Sequence, residues 1–236
     1  MIWRGCSIDE SLFFSRNRES KMKNILCFGD SNTYGLSPEW FKGNPGRHDE
    51  NTRWTMRLQK QLGDEYHIIE EGLCGRTTCF EDPTEPGRSG AEFFRAALET
   101  HAPLDLVIIM LGTNDCKNIF AASAFEIGNG MTRLVKEALN PFHYQFGGVP
   151  KVLIVAPVPF DESATRLGGG MITMEVVEKS RKLAGIYEGI AKMFNCEFMD
   201  LGAFAKTTDY EGIHLPADAH AKAADAFETK IRDIFK

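Results

Sequence analysis

Two continuous apolar runs, Asp105–Leu111 (DLVIIML) and Lys151–Ala156 (KVLIVA), constrain this chain most. A strand that is apolar at successive positions must be covered on both faces, which parallel sheets achieve with helical crossovers. Shorter runs at Asn24–Phe28, Tyr66–Glu70 and Cys196–Met199 bring the number of predicted strands to five. Helical spacing fills the intervals. Trp54, Leu58 and Leu62 recur every fourth residue, and Phe94, Ala97 and Leu98 form a second stripe. Leu134, Val135, Ala138 and Leu139 form a third. Residues 172–194 read as one long helix through Val176, Leu183, Ile186, Tyr187 and Ile190, and residues 217–235 as the closing helix. Strand and helix alternate throughout, which predicts one α/β domain with a mostly parallel sheet and right-handed crossovers.

Charge and composition narrow the function classes. The net charge of −6 offers no basic face to a phosphate backbone, so no nucleic-acid partner is expected. The longest aliphatic run, Leu106–Leu111, is far short of the ~20 residues that span a bilayer, so no membrane role is expected either. In residues 1–21, Asp9, Glu10 and Glu19 interrupt the basic residues and no apolar stretch precedes a cleavage site. They read as an N-terminal extension to a folded part spanning 22–236. The six cysteines contain no C-x-x-C pair and read as small buried hydrophobes of a reduced, cytoplasmic protein. No H-E-x-x-H is present, so neither a metal nor another cofactor is expected.

Two long loops, 29–50 and 157–170, follow predicted strands, at the sheet edge where such folds keep their sites. The first strand leads into Gly29-Asp30-Ser31-Asn32, which puts Ser31 at that edge, either as a nucleophile or as the cap of a short helix. The third leads into Gly112-Thr113-Asn114-Asp115, where Asn114 either points its amide at a reacting oxygen or shapes a turn. After the second strand, Gly72 and Gly75 permit close backbone approach. Near the end of the chain, Glu211-Gly212-Ile213-His214 sets a carboxylate three residues before an imidazole, with Pro216 at the expected first position of the last helix. A nucleophile, a base with its orienting acid and a set of oxyanion donors are the components of acyl transfer.

These four blocks, in this order, resemble those of the SGNH (GDSL-like) hydrolases from about Ile25 to His220. ILCFGDS, Arg53-Trp54, EEGL with RTT, and DLVIIMLGTND are similar to the bacterial arylesterase/acyltransferase branch. The resemblance implies a flavodoxin-like three-layer α/β/α sandwich with a five-stranded sheet. It implies Ser31 as nucleophile, His214 as general base and acid, and the Ser31 and Gly75 N–H groups with the Asn114 side chain as oxyanion donors. The family usually carries Asp where this chain has Glu211; Glu211 is taken as the acid, with Asp209 as the substitute. Thr113 and Ile213, beside these residues, are candidate substrate-pocket walls, although ordinary core packing also accounts for Ile213.

The activity implied is hydrolysis of small acyl esters, with acyl transfer to alcohols or peroxide as a further capacity. The branch also suggests a homo-oligomer contacting through the 29–50 and 118–131 loops. A carbohydrate deacetylase, a thioesterase and a lysophospholipase of the same superfamily are the nearest alternatives. A non-catalytic anion-binding module, with Gly168-Gly169-Gly170 as the cradle, is the remote one.

Overall fold

A computed structural model describes residues 22–44, 46–144 and 147–236; the extension expected over 1–21 lies outside the described residues. The five predicted strands form one sheet: β1 (Lys23–Gly29), β2 (Tyr66–Gly72), β3 (Leu106–Met110), β4 (Lys151–Ala156) and β5 (Glu197–Asp200). The spatial order is β2-β1-β3-β4-β5 and every pairing is parallel. Chain order reverses between β1 and β3, and in open sheets of this order the crevice at that reversal is where ligands bind.

Side-chain alternation along the strands divides the core into two layers. Leu26, Phe28, Val107, Ile109, Val152 and Ile154 face one side, against α3 (Gly90–His101), α4 (Ala124–Ala138), α6 (Met174–Arg181) and α7 (Leu183–Phe194). Ile25, Cys27, Ile108, Met110, Leu153 and Val155 face the other, against α2 (Trp54–Leu62) and α8 (Ala217–Ile234). The result is the three-layer sandwich expected from the sequence. On the second face the rings of Trp54 and Phe227 stack at 4.2 Å, both fully buried, joining α2 to α8. Burying a side chain of this kind contributes on the order of 1.5–3 kcal/mol.

The stretch expected as one helix over 172–194 is two. The Ser180 hydroxyl donates to the Val177 carbonyl at 2.7 Å and accepts the Phe160 N–H at 3.1 Å. That carbonyl is the ordinary helical acceptor for Arg181, so the serine competes with the ladder. At Lys182 the N–H bonds three residues back, to Lys179, and α7 starts anew. Both helices bury their apolar faces in the same core layer, so periodicity carries no sign of the break. Pro216 lies one position earlier than expected: it caps α8, with its carbonyl accepting the His220 N–H. The glycine tract 168–170 closes the short α5 (Ala164–Leu167) instead of opening α6. The Gly170 carbonyl accepts the Asn118 amide at 3.1 Å.

Among the described residues, no helix is long and apolar enough to cross a membrane. No group of three His, Cys, Asp or Glu side chains among them is arranged to hold a metal.

Candidate active site

Beyond the end of β1, Asp30 caps the four-residue helix α1 (Ser31–Tyr34), its Oδ1 accepting the Asn32 N–H at 2.9 Å. The cap is therefore Asp30, which leaves the Ser31 hydroxyl free of that duty. Burial pushes the Asp30 carboxyl above the ordinary carboxylate range, against the hydrogen bond from Asn32 and the nearby His214. Gly72, at the end of β2, lets α1 lie against the sheet: a Cβ there would sit 2.2 Å from the Tyr34 nitrogen.

Ser31 meets the tail of the chain. Its Oγ lies 3.1 Å from His214 Nε2, and His214 Nδ1 lies 2.9 Å from Glu211 Oε2. All three residues are buried. Glu211 turns back onto His214 because Gly212 adopts φ +69°, where a Cβ would come within 2.6 Å of the Ala164 nitrogen. While Oε2 meets the ring, Oε1 accepts the backbone N–H groups of Ile213 and His214. Burial alone would raise the Glu211 carboxyl. Hydrogen bonds from the His214 ring and these backbone donors outweigh it and hold the group below its ordinary value. Asp209, the alternative acid, is exposed and stands outside this chain of hydrogen bonds.

The remaining two blocks arrive from β2 and β3. Gly75 lies in the left-handed region at φ +79°, in the loop after β2. Beyond the end of β3, Asn114 opens a 3₁₀ turn (Asn114–Cys116) and its Nδ2 donates to the Arg76 carbonyl at 3.0 Å. The turn-forming role is thus real, with the Lys117 N–H on the Asn114 carbonyl, and the amide keeps a second N–H. Thr113 is buried beside Asp30, on whose carboxyl its hydroxyl acts. Ile213 is half-buried and packs against the core layer of α3, α4, α6 and α7.

Several residues of this region have roles that the sequence does not announce. Arg76 lays its guanidinium 4.0 Å from the Phe28 ring and donates to the Gly29 carbonyl at 3.0 Å. Burial pulls it down to about 10. Asp115 is fully buried and accepts the Thr78 N–H at 2.8 Å, fastening the GTND turn to the segment after Gly75. Arg53 grips Glu70 with two hydrogen bonds, of 2.7 and 2.9 Å. Phe41, in a 3₁₀ turn (Pro38–Lys42), places its ring 6.1 Å from that of His214. Arg53 and Asp115 stand within the RW and GTND motifs, but nothing in the local sequence points from Phe41 to His214.

A family model of GDSL-like lipases and acylhydrolases matches residues 27–222. No curated protein matches the chain. Among solved structures, a carbohydrate acetylesterase from Sinorhizobium meliloti is similar at 40% identity and a TM-score of 0.85, over 90% of this chain and 99% of that one. The inhibitor-bound aryl esterase of M. smegmatis is similar at 37% identity and a TM-score of 0.84, over 89% and 99% of the respective chains. A lipase/acylhydrolase from Enterococcus faecalis shares the fold at 16% identity, with a TM-score of 0.62 over 90% of this chain and 96% of that one. With the family model spanning most of the sequence and esterases aligned along nearly their whole length, the chain belongs to the GDSL-like lipase/acylhydrolase family and is an SGNH-type ester hydrolase.

Proposed function

We propose that this hydrolase cleaves small acyl esters through an acyl-enzyme on Ser31. The observation that carries the reading is the unbroken line Ser31 Oγ, His214 imidazole, Glu211 carboxylate, with heavy-atom separations of 3.1 and 2.9 Å. His214 Nε2 takes the hydroxyl proton as Oγ attacks the ester carbonyl, and returns it to the departing alcohol. Glu211, ionised at neutral pH, fixes the tautomer with the proton on Nδ1 and stabilises the imidazolium. Water then repeats the sequence on the acyl-enzyme.

The developing oxyanion would be met by the Ser31 and Gly75 backbone N–H groups and by the second N–H of Asn114. Each such donor supplies roughly 2.7–4 kcal/mol toward the transition state. Arg76 would support two of them: its carbonyl orients the Asn114 amide and its guanidinium braces the Gly29 carbonyl before Ser31. Thr113 and Ile213 flank the acyl side in this reading. Phe41 and the exposed Trp40 beside it form an apolar rim for the leaving alcohol. Acyl transfer to an alcohol or to peroxide uses the same intermediate with another nucleophile in place of water.

A carbohydrate deacetylase is the second reading. It is favoured by the 40%-identical acetylesterase and by the exposed rings of Trp40 and Tyr210 near the site, which suit a sugar face. Initial rates on p-nitrophenyl acetate, butyrate and octanoate, against a peracetylated sugar and an acyl thioester, test the assignment. Aryl acetate or butyrate should lead and octanoate should trail by at least about ten-fold. Preference for the sugar acetate moves the substrate to the second reading, and preference for the thioester rejects both.

A further inference from the structure

We infer that Asn32 is a positioning residue that holds His214 against Ser31 throughout the catalytic cycle. The inference rests on the Ser31 reading above and goes beyond it by naming what keeps the two reacting groups together. Asn32 follows Ser31 in α1 and is buried, and each of its polar groups is engaged. Its N–H donates to Asp30 Oδ1 at 2.9 Å, and its carbonyl accepts the Trp54 indole N–H at 3.0 Å. Its side-chain Nδ2 donates to the Ile213 carbonyl at 3.3 Å, and its Oδ1 accepts the Leu215 N–H at 3.0 Å. The last two bonds lie on either side of His214.

Direct hydrogen bonds between these segments are few, and His48 bridges them indirectly, its N–H on the Gly35 carbonyl at 2.8 Å and its Nε2 3.4 Å from the Leu215 carbonyl. Helix α1 has four residues, too few to hold a shape without tertiary support, and 208–216 is irregular chain. Among the described residues, the hydrogen bonds between them are the Ser31–His214 contact and the two from the Asn32 carboxamide. The first is lost in each turnover. Once Ser31 Oγ is bonded to the acyl carbon it has no proton to donate, and the alcohol has left with the proton His214 carried. His214 must then accept a proton from water as the water oxygen bonds to the acyl carbon, and deliver it to Ser31 Oγ as the acyl C–O bond breaks. The carboxamide bonds contain no reacting atom, so they persist while the imidazole waits for water. A displacement of about 1 Å at a reacting group costs on the order of a hundred-fold in rate.

The side-chain chemistry is specific. Leucine has the same number and branching of side-chain heavy atoms and can make neither bond. Aspartate keeps an acceptor for the Leu215 N–H but turns an oxygen toward the Ile213 carbonyl.

The test compares wild type, Ser31→Ala, Asn32→Leu and Asn32→Asp, checked for folding by circular dichroism. It measures kcat and KM on p-nitrophenyl acetate and the rate of fluorophosphonate labelling. The expected result for Asn32→Leu is a loss of about 10- to 100-fold in kcat with KM within about three-fold, and labelling slowed in parallel. Asn32→Asp should fall between it and wild type. Wild-type kcat in Asn32→Leu, or a change confined to KM, overturns the inference; if that variant does not fold, wild-type kcat in Asn32→Asp overturns it. Turnover that survives Ser31→Ala undiminished instead removes the Ser31 reading, and the inference with it.

Discussion

Glu211 and His214 are joined twice: one carboxylate oxygen lies 2.9 Å from the ring Nδ1 and the other accepts the backbone N–H of the same histidine. The side chain thereby fixes both the loop and the imidazole it presents. Replacing Glu211 by Gln keeps the shape but allows the wrong tautomer, and kcat on an aryl ester should fall about 10³- to 10⁴-fold. Asp209→Asn, at an exposed residue outside the hydrogen-bond chain, should stay within about two-fold. Steady-state kinetics of the two variants decide between the carboxylates, and a larger loss at Asp209 would reverse the assignment.

Asn114 offers a second separation of catalysis from stability. Its amide holds the Arg76 carbonyl with one N–H and, in this account, an oxyanion with the other. Asn114→Ala should lower kcat about 10²- to 10³-fold. The folding cost is about 1–3 kcal/mol, because the buried Arg76 carbonyl is left without its donor. Kinetics paired with urea denaturation check both numbers; a kcat within about three-fold of wild type would take Asn114 out of the oxyanion site.

Stability should depend on pH through Asp115. Burial raises its carboxyl from 3.8 to about 6, against the hydrogen bonds from Thr78, and its Oδ2 has no partner. Between those two values the unfolded chain has released the proton that the folded chain keeps. Asp115 therefore subtracts stability progressively as pH rises through this window. The isosteric Asp115→Asn removes that titration. Its stability relative to wild type should rise from pH 4 to pH 6 and level off above. Denaturation midpoints at intervals of half a pH unit measure the trend, and a parallel pair of curves would contradict it.

The parts of the molecule legible in sequence are those coded locally. Ile108, Ile109, Leu153 and Ile154 sit in continuous apolar runs because both faces of β3 and β4 are covered, so the strands could be read directly. Parallel strands share a direction, which places Ser31 and Asn114 at one sheet edge before any coordinate is known. What could not be read is set by tertiary hydrogen bonding. The hydroxyl of Ser180 divides a helix whose apolar periodicity continues unbroken, and Asn32 carries no sign of its role until Ile213 and Leu215 are brought against it. Glu211 was legible as a candidate from its spacing to His214, but its separation from Asp209 depends on the turn at Gly212 and the burial it produces.

The most direct measurement is covalent. Incubation with a fluorophosphonate, digestion and mass spectrometry should find one adduct, on the peptide carrying Ser31. Labelling should slow at least about 10³-fold in His214→Ala, because the neutral hydroxyl loses its base. An adduct on another residue, or labelling of Ser31 at an undiminished rate without His214, would contradict the pairing of these two side chains as the reacting centre.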